Sequence, residues 1–179
     1  MQFVLNGPNL PDELLFAHEE GRVVFFCGAG ISYPAGLPGF RGLVDSIYSR
    51  LGTTPSDIER DAYSRYQYDA TLDLLERRLV NGRVAVRKAL AASLKPKYRR
   101  PGATDTHLAL LNLSRAPDGA TRLVTTNFDR IFDHVAKRER LPITSYPAPT
   151  LPIPKNSKWN GIVYLHGQIT RNVDSHTLS

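Results

Sequence analysis

The sequence predicts an α/β fold built on a parallel sheet, and three observations carry that expectation. Residues 23–27, 122–126 and 162–165 are short runs rich in Val, Leu, Ile and Phe, the pattern of strands buried in a parallel sheet. Each empties into a polar or glycine-bearing tip: residues 28–32, residues 127–129, and His166 with Gly167. Helical periodicity fills much of the sequence between them. Ligands of an open parallel sheet bind just outside the carboxyl ends of its strands, so the three tips are expected to meet at one site.

Taken in order, residues 11–21 form a short helix, with Pro11, Asp12 and Glu13 in its first turn and Gly21 at its stop. The first strand, 23–27, lacks alternation and is expected to be covered on both faces. A second turn rich in glycine and proline runs from Pro34 to Gly42. Leu43, Ile47 and Leu51 then make one stripe of a helix over 43–51. Residues 52–68 show no clear pattern beyond scattered helical turns. Asp69 is placed to cap a helix over 70–80, with Leu72, Leu75 and Leu79 as its stripe. Asn81 and Gly82 close it, and further helices follow over 84–94 and about 106–113. After the strand at 122–126, the helix 130–138 has Ile131 and Val135 on one face, with Phe132 beside them. Pro142, Pro147, Pro149, Pro152 and Pro154 exclude a central strand or a long helix before residue 158. That segment should cross a surface or cover a cleft.

The chain has 179 residues, 41% apolar and 22% charged, the composition of a soluble globular domain. No stretch approaches the roughly 18 apolar residues of a membrane span, and the N-terminus does not resemble a signal peptide. These features place the protein in the cytoplasm by default. A single cysteine, Cys27, excludes an internal disulfide and a cysteine-rich zinc knuckle, so no metal is expected. The excess of 23 Lys and Arg over 17 Asp and Glu suits a solvated basic face, an anionic small molecule, an acidic partner or direct nucleic-acid contact. Only thirteen residues follow His166 and they show no second set of strand–helix units, so the sheet is expected to be incomplete at the C-terminus.

Several residues at the tips carry chemistry. Gly28, Ala29 and Gly30 after a buried strand suit either a phosphate cradle or an ordinary tight turn. The run is neither the usual dinucleotide fingerprint nor a P-loop, which would need a Gly-Lys-Ser/Thr. Arg41 is either a phosphate clamp or a surface arginine. Phe40 is either a ring stacked on a base or ribose, or a core plug. Asn127 and Asp129 stand where an apolar strand stops, and either can cap the next helix. His166, at a strand end before a glycine, suits a base with a neutral-range pKa. His18, His107, His134 and His176 have no comparable setting.

With these residues in order, the sequence resembles the sirtuin (SIR2) family, and more closely its SIR2-like branch in bacterial anti-phage defence. Residues 28–32 followed by 36–41 look like the family's first signature, Gly-Ala-Gly-x-Ser and then Gly-Ile-Pro-x-Phe-Arg. Residues 125–129 are similar to its Thr-Gln-Asn-x-Asp signature, and His166 falls where the family has its catalytic histidine. The resemblance implies a Rossmann-like, sirtuin-like sheet over 1–179 with a helical insertion at roughly 43–120. It also implies a site for NAD⁺ as substrate. Gly28, Ala29, Gly30 and Ser32 would cradle the phosphates and nearby ribose, with Phe40 and Arg41 at their edge. Asn127 would hold the nicotinamide ribose or the attacking water, Asp129 the carboxamide, and His166 would act on the ribose hydroxyls or as general base.

Departures from the pattern shift the expected activity. Gly39 stands where many deacetylating sirtuins have an acidic residue, and Thr126 replaces their glutamine. The four-cysteine zinc module is absent as far as the sequence runs. The resemblance therefore implies an NAD⁺ glycohydrolase, the effector of an anti-phage, abortive-infection system. An NAD⁺-dependent deacylase and a non-catalytic nucleotide-binding or interaction domain are the alternatives. The resemblance also implies a sensor: a fused C-terminal domain, assembly into a homo-oligomer, or a companion protein such as an Argonaute-like subunit.

Overall fold

The computed structural model describes residues 1–152 and 159–169. Pro154 and the polar residues beyond Ile169, His176 among them, lie outside the described residues. The elements in chain order are α1 (Asp12–Glu19), β1 (Phe25–Cys27), a 3-10 turn (Ala29–Ser32), α2 (Phe40–Leu51), α3 (Asp57–Ser64) and α4 (Tyr68–Arg78). They continue with α5 (Gly82–Ser93), α6 (Asp105–Leu113), β2 (Arg122–Thr125), α7 (Ile131–Arg138), β3 (Ser145–Pro147) and β4 (Gly161–Tyr164).

The four strands form one parallel sheet in the order β1-β2-β4-β3. Phe25 pairs with Leu123, which pairs with Ile162; two residues on, Cys27, Thr125 and Tyr164 align. Because all strands run the same way, their carboxyl ends share one edge of the sheet. The residues following Cys27, Thr125 and Tyr164 therefore emerge side by side.

One face of the sheet carries the main core. Cys27, Leu123, Ile162 and Tyr164 pack with Leu111 of α6 and with Ile131, Phe132, Val135 and Ala136 of α7. A side-chain period of two puts Phe26, Val124, Val163 and Tyr146 on the opposite face. There Val163 is buried, but Phe26 is 66% exposed and Val24 is exposed as well. This corrects the expectation for the first strand: β1 has one covered face and one open face, because it is an end strand of the sheet with its packed helices on the Cys27 side. β3 is the strand the sequence did not yield. It occupies the other edge, where Pro147 costs no ladder hydrogen bond in the middle of a sheet.

Helices α2, α4 and α5 bury a second core of Leu43, Val44, Ile47, Tyr48, Leu72, Leu75, Val86, Ala89 and Leu90. The segment without visible periodicity contains α3, which has its own start signal. Ser56 accepts from the Glu59 amide while the Glu59 carboxylate accepts from the Ser56 amide, a reciprocal capping box. Glu59, only 1% exposed, also receives two hydrogen bonds from Arg78 at 2.8 and 3.1 Å, tying α3 to the end of α4. Asp69 does not cap α4. The helix starts one residue earlier, at Tyr68, and its N-cap Gln67 makes no side-chain cap bond. No helix among the described residues is long and apolar enough to cross a membrane.

Candidate functional site

A cleft of about 620 Å³ opens at the carboxyl edge of the sheet, between the strand tips and α2. Its wall is mostly apolar, with Leu37, Pro38, Phe40, Leu43, Leu94 and Phe128 contributing. Its polar lining comes from Ser32, Asp69, Thr126, Asn127, Asp129 and His166. An apolar cavity of this size with a few converging polar groups is the usual form of a small-molecule site.

Local chemistry explains how the strand ends deliver these side chains. At the end of β2 the Thr125 hydroxyl donates to the Cys27 carbonyl at 3.1 Å and accepts from the Asn127 amide at 3.1 Å. The Thr126 amide bonds the Cys27 carbonyl as well. The chain is thus held against β1 while it leaves the sheet, and Asn127 turns inward, 6% exposed. Asp129 is equally buried. One carboxylate oxygen accepts from the Ile131 amide at 3.0 Å, at the first residue of α7; the N-cap itself is Arg130, which makes no side-chain cap bond. Its other oxygen accepts from the Ser32 hydroxyl at 2.8 Å. Burial pushes the Asp129 carboxyl above its ordinary range, against the opposing pull of those two hydrogen bonds.

Ser32, at the end of the 3-10 turn and 2% exposed, is the hub. Besides donating to Asp129, it accepts from the Asn127 side-chain nitrogen at 3.2 Å. The Asn127 carbonyl oxygen is buried without a hydrogen-bond partner among the described residues. An orphaned acceptor in a cleft wall is costly unless something else supplies a donor.

Gly28 and Gly30 do not have left-handed backbones, and a Cβ on Gly30 would meet no protein atom within 4 Å. The protein itself does not demand glycine there; the space beside the turn is open. Phe40, at the first residue of α2, is 41% exposed and lines the cleft, so it is no core plug. Its ring rests on Tyr68 at 5.6 Å, and Tyr63 packs edge-on to Tyr68 at 5.4 Å. His166 is exposed, lines the cleft, and has its ring 6.0 Å from that of Phe128.

The structure thus brings Ala29, Ser32, Phe40, Asn127, Asp129 and His166 to one cleft. Gly28 and Gly30 flank Ala29 in the same turn. Arg41 is placed differently. It lies exposed on α2, its Nε donating to the Tyr63 hydroxyl at 3.1 Å, and it is not among the cleft residues. Two residues gain a place that sequence reasoning did not give them. Asp69 lines the cleft from the first turn of α4. His107, fully buried on α6, reaches Ser32 Oγ with Nε2 at 3.3 Å. Four residues before Leu111 on a mostly apolar helix, His107 reads as core, and only the fold puts it beside Ser32. Burial lowers its pKa to about 4. Among the described residues no group of three or more His, Cys, Asp or Glu is placed to hold a metal ion.

Comparison with known proteins gives a family match for part of the chain. The family model described as SIR2-like domain matches residues 121–179, the part that contributes Asn127, Asp129 and His166. An uncharacterized protein of Sinorhizobium fredii, y4cA, is 37% identical over 176 residues, which cover 92% of this chain. The match spans only 14% of that much longer relative. No solved structure matches. On these grounds the chain is an α/β protein whose C-terminal part carries a SIR2-like domain.

Proposed function

We propose that the cleft binds NAD⁺ and hydrolyses it to nicotinamide and ADP-ribose. The observation that carries this reading is the meeting of Ser32, Asn127, Asp129 and His166 in one largely apolar cavity, with the Asn127 carbonyl oxygen left unpartnered. The SIR2-like domain adds a family whose members use NAD⁺. The residues fit such a substrate chemically. The open side of Gly30 leaves room for a diphosphate beside the turn, and Phe40 offers an exposed ring to a base or ribose.

In the reaction the bond between ribose C1′ and the nicotinamide nitrogen breaks, and its electron pair leaves with the neutral base. Water forms the new bond to C1′ and gives up one proton. Positive charge develops on the ribose as the base departs. Asp129 and its neighbours would orient the carboxamide, and Asn127 would hold the water or a ribose hydroxyl as an acceptor. His166 would take the proton, directly or through a ribose hydroxyl. Apolar walls strengthen each of these interactions by excluding bulk water.

In this reading the protein is the effector of an anti-phage, abortive-infection response, and depletes NAD⁺ once a sensor switches it on. A homo-oligomer or a companion sensor such as an Argonaute-like subunit would supply that control. The test is NAD⁺ consumption by the full-length protein with its genomic neighbours, beside Asn127→Ala and His166→Ala, with and without an acetyl-lysine peptide. Both variants should lose at least about 100-fold in turnover. Turnover only with peptide would make the protein a deacylase. Tight nucleotide binding without turnover would make it a binding domain.

A further inference from the structure

We propose that His107 is a positioning residue for this site: as a neutral Nε2–H donor it fixes the Ser32 hydroxyl, and through it the orientations of Asp129 and Asn127. The catalytic part of this inference rests on the NAD⁺ reading above. The hydrogen-bond part does not.

A serine hydroxyl has one proton and two lone pairs. Ser32 spends its proton on Asp129 Oδ2 at 2.8 Å. One lone pair receives the Asn127 side-chain N–H at 3.2 Å. The third neighbour is His107 Nε2 at 3.3 Å. Only a lone pair remains to meet it, so Nε2 must carry the proton. Nδ1 is then the bare nitrogen, and it is indeed the ring atom with no partner among the described residues. The opposite tautomer would draw the Ser32 proton toward the ring. Asp129 Oδ2 would then face a buried lone pair in place of a donor, at a cost typical of an unmade hydrogen bond to a charged group.

The consequence reaches the cleft, although His107 does not line it. With its proton committed to Asp129, Ser32 offers Asn127 nothing but an acceptor. Asn127 must present its amide nitrogen inward and keep its carbonyl oxygen free. The donor from His107 completes the three contacts that lock the hydroxyl. Without it, Ser32 can rotate toward Asn127, and the side-chain amide loses its preferred sense. Complete burial suits this role, since the ring stays neutral throughout the working pH range.

The experiment combines a spectroscopic readout with kinetics on the full chain. Selective ¹⁵N labelling of histidine distinguishes the two ring nitrogens. His107 should show a protonated Nε2 and a bare Nδ1 at neutral pH, and Ser32→Ala should shift the Nε2 signal. A protonated Nδ1, a fully protonated ring, or a signal indifferent to Ser32→Ala would overturn the proposal whether or not NAD⁺ is cleaved. In turnover, His107→Leu should lower kcat about tenfold with less change in KM, and His107→Gln, which restores an N–H donor, should recover most of it. The double variant Ser32→Ala, His107→Leu should lose no more than Ser32→Ala alone. Multiplying losses, or a glutamine variant no better than leucine with both folded, would likewise contradict it. If the wild type consumes no NAD⁺ under any condition, the proposed activity falls, and the ring-nitrogen result alone decides the role of His107.

Discussion

Asp129 and His107 are buried ionisable groups that sit on the same serine and respond to pH in opposite senses. Burial lowers the His107 pKa from 6.5 to about 4, so the unfolded chain binds a proton between those values and the folded chain does not. Stability is therefore fully present above pH 6.5 and is lost as pH falls toward 4, by about 3 kcal/mol in all. Urea unfolding of wild type and His107→Gln across that range should show the loss in the first and its absence in the second. Asp129 runs the other way: its raised pKa means that ionisation inside the fold is unfavourable. Asp129→Asn keeps an acceptor for the Ile131 amide and removes the buried charge. It also turns an N–H toward Ser32 in place of the acceptor Oδ2, so the loss of that bond offsets the relief of the buried charge in thermal stability at pH 8, while NAD⁺ turnover should fall at least about 100-fold. The sequence showed Asp129 and Asn127 with two roles each. In the structure one Asp129 oxygen accepts from the Ile131 amide and the other from the Ser32 hydroxyl, at the wall of the cleft. His107 stayed invisible because its partner lies 75 residues away in sequence.

Among the elements, α3 and the α4–α5 corner show why part of the fold was hard to read. The α3 segment has no apolar stripe of useful length; what defines it is the Ser56–Glu59 capping box and the bond from Glu59 to Arg78. Burial alone would raise the Glu59 carboxyl, but Arg78 and the Ser56 amide outweigh it and hold it below the usual carboxylate range. Arg78→Met would leave a carboxylate that is 1% exposed without its countercharge. It should lower stability near neutral pH, with less of a deficit in acid once Glu59 is protonated, as read by chemical denaturation at two pH values. At the next corner Asn81 adopts a left-handed backbone and Gly82 opens α5. A Cβ on Gly82 would lie 2.1 Å from the Glu76 carbonyl oxygen, and one on Gly161, at the start of β4, 2.2 Å from that of Thr144. Gly82→Ala and Gly161→Ala should each cost about 2 kcal/mol or more in unfolding free energy, since backbone has to move in both cases. The sequence marked Asn81 and Gly82 as a helix stop, but α4 ends at Arg78 with Leu79 as its C-cap, and Asn81 and Gly82 instead start α5; Gly161, which extends the expected strand by one residue, had no signal. The helices with clear stripes, α2, α5 and α7, lie within a few residues of their expected bounds. The proline-rich segment hid β3, because a short edge strand containing Pro147 has neither the length nor the alternation of a recognisable strand.

Over the whole molecule, the parallel direction of the strands does the work that no single motif could. It places three tips, from residues far apart in the chain, along one edge, with the α2–α5 helices beside them and the aromatic group of Tyr63 and Tyr68 supporting Phe40 at the cleft wall. That convergence was readable from three apolar runs and their endings. What the runs could not say is that β1 exposes Phe26, and Val24 just before it, on the open face, or that Arg41 is engaged by Tyr63. Both depend on what packs alongside, which is a property of neighbours distant in sequence. Chromatography of the products from NAD⁺ incubated with the activated full-length protein and no peptide decides whether the cleft is a hydrolase site. Nicotinamide and ADP-ribose are expected in equal amounts, and neither from the Asn127→Ala protein. Intact NAD⁺ under activating conditions, or equal product from Asn127→Ala, would contradict that reading.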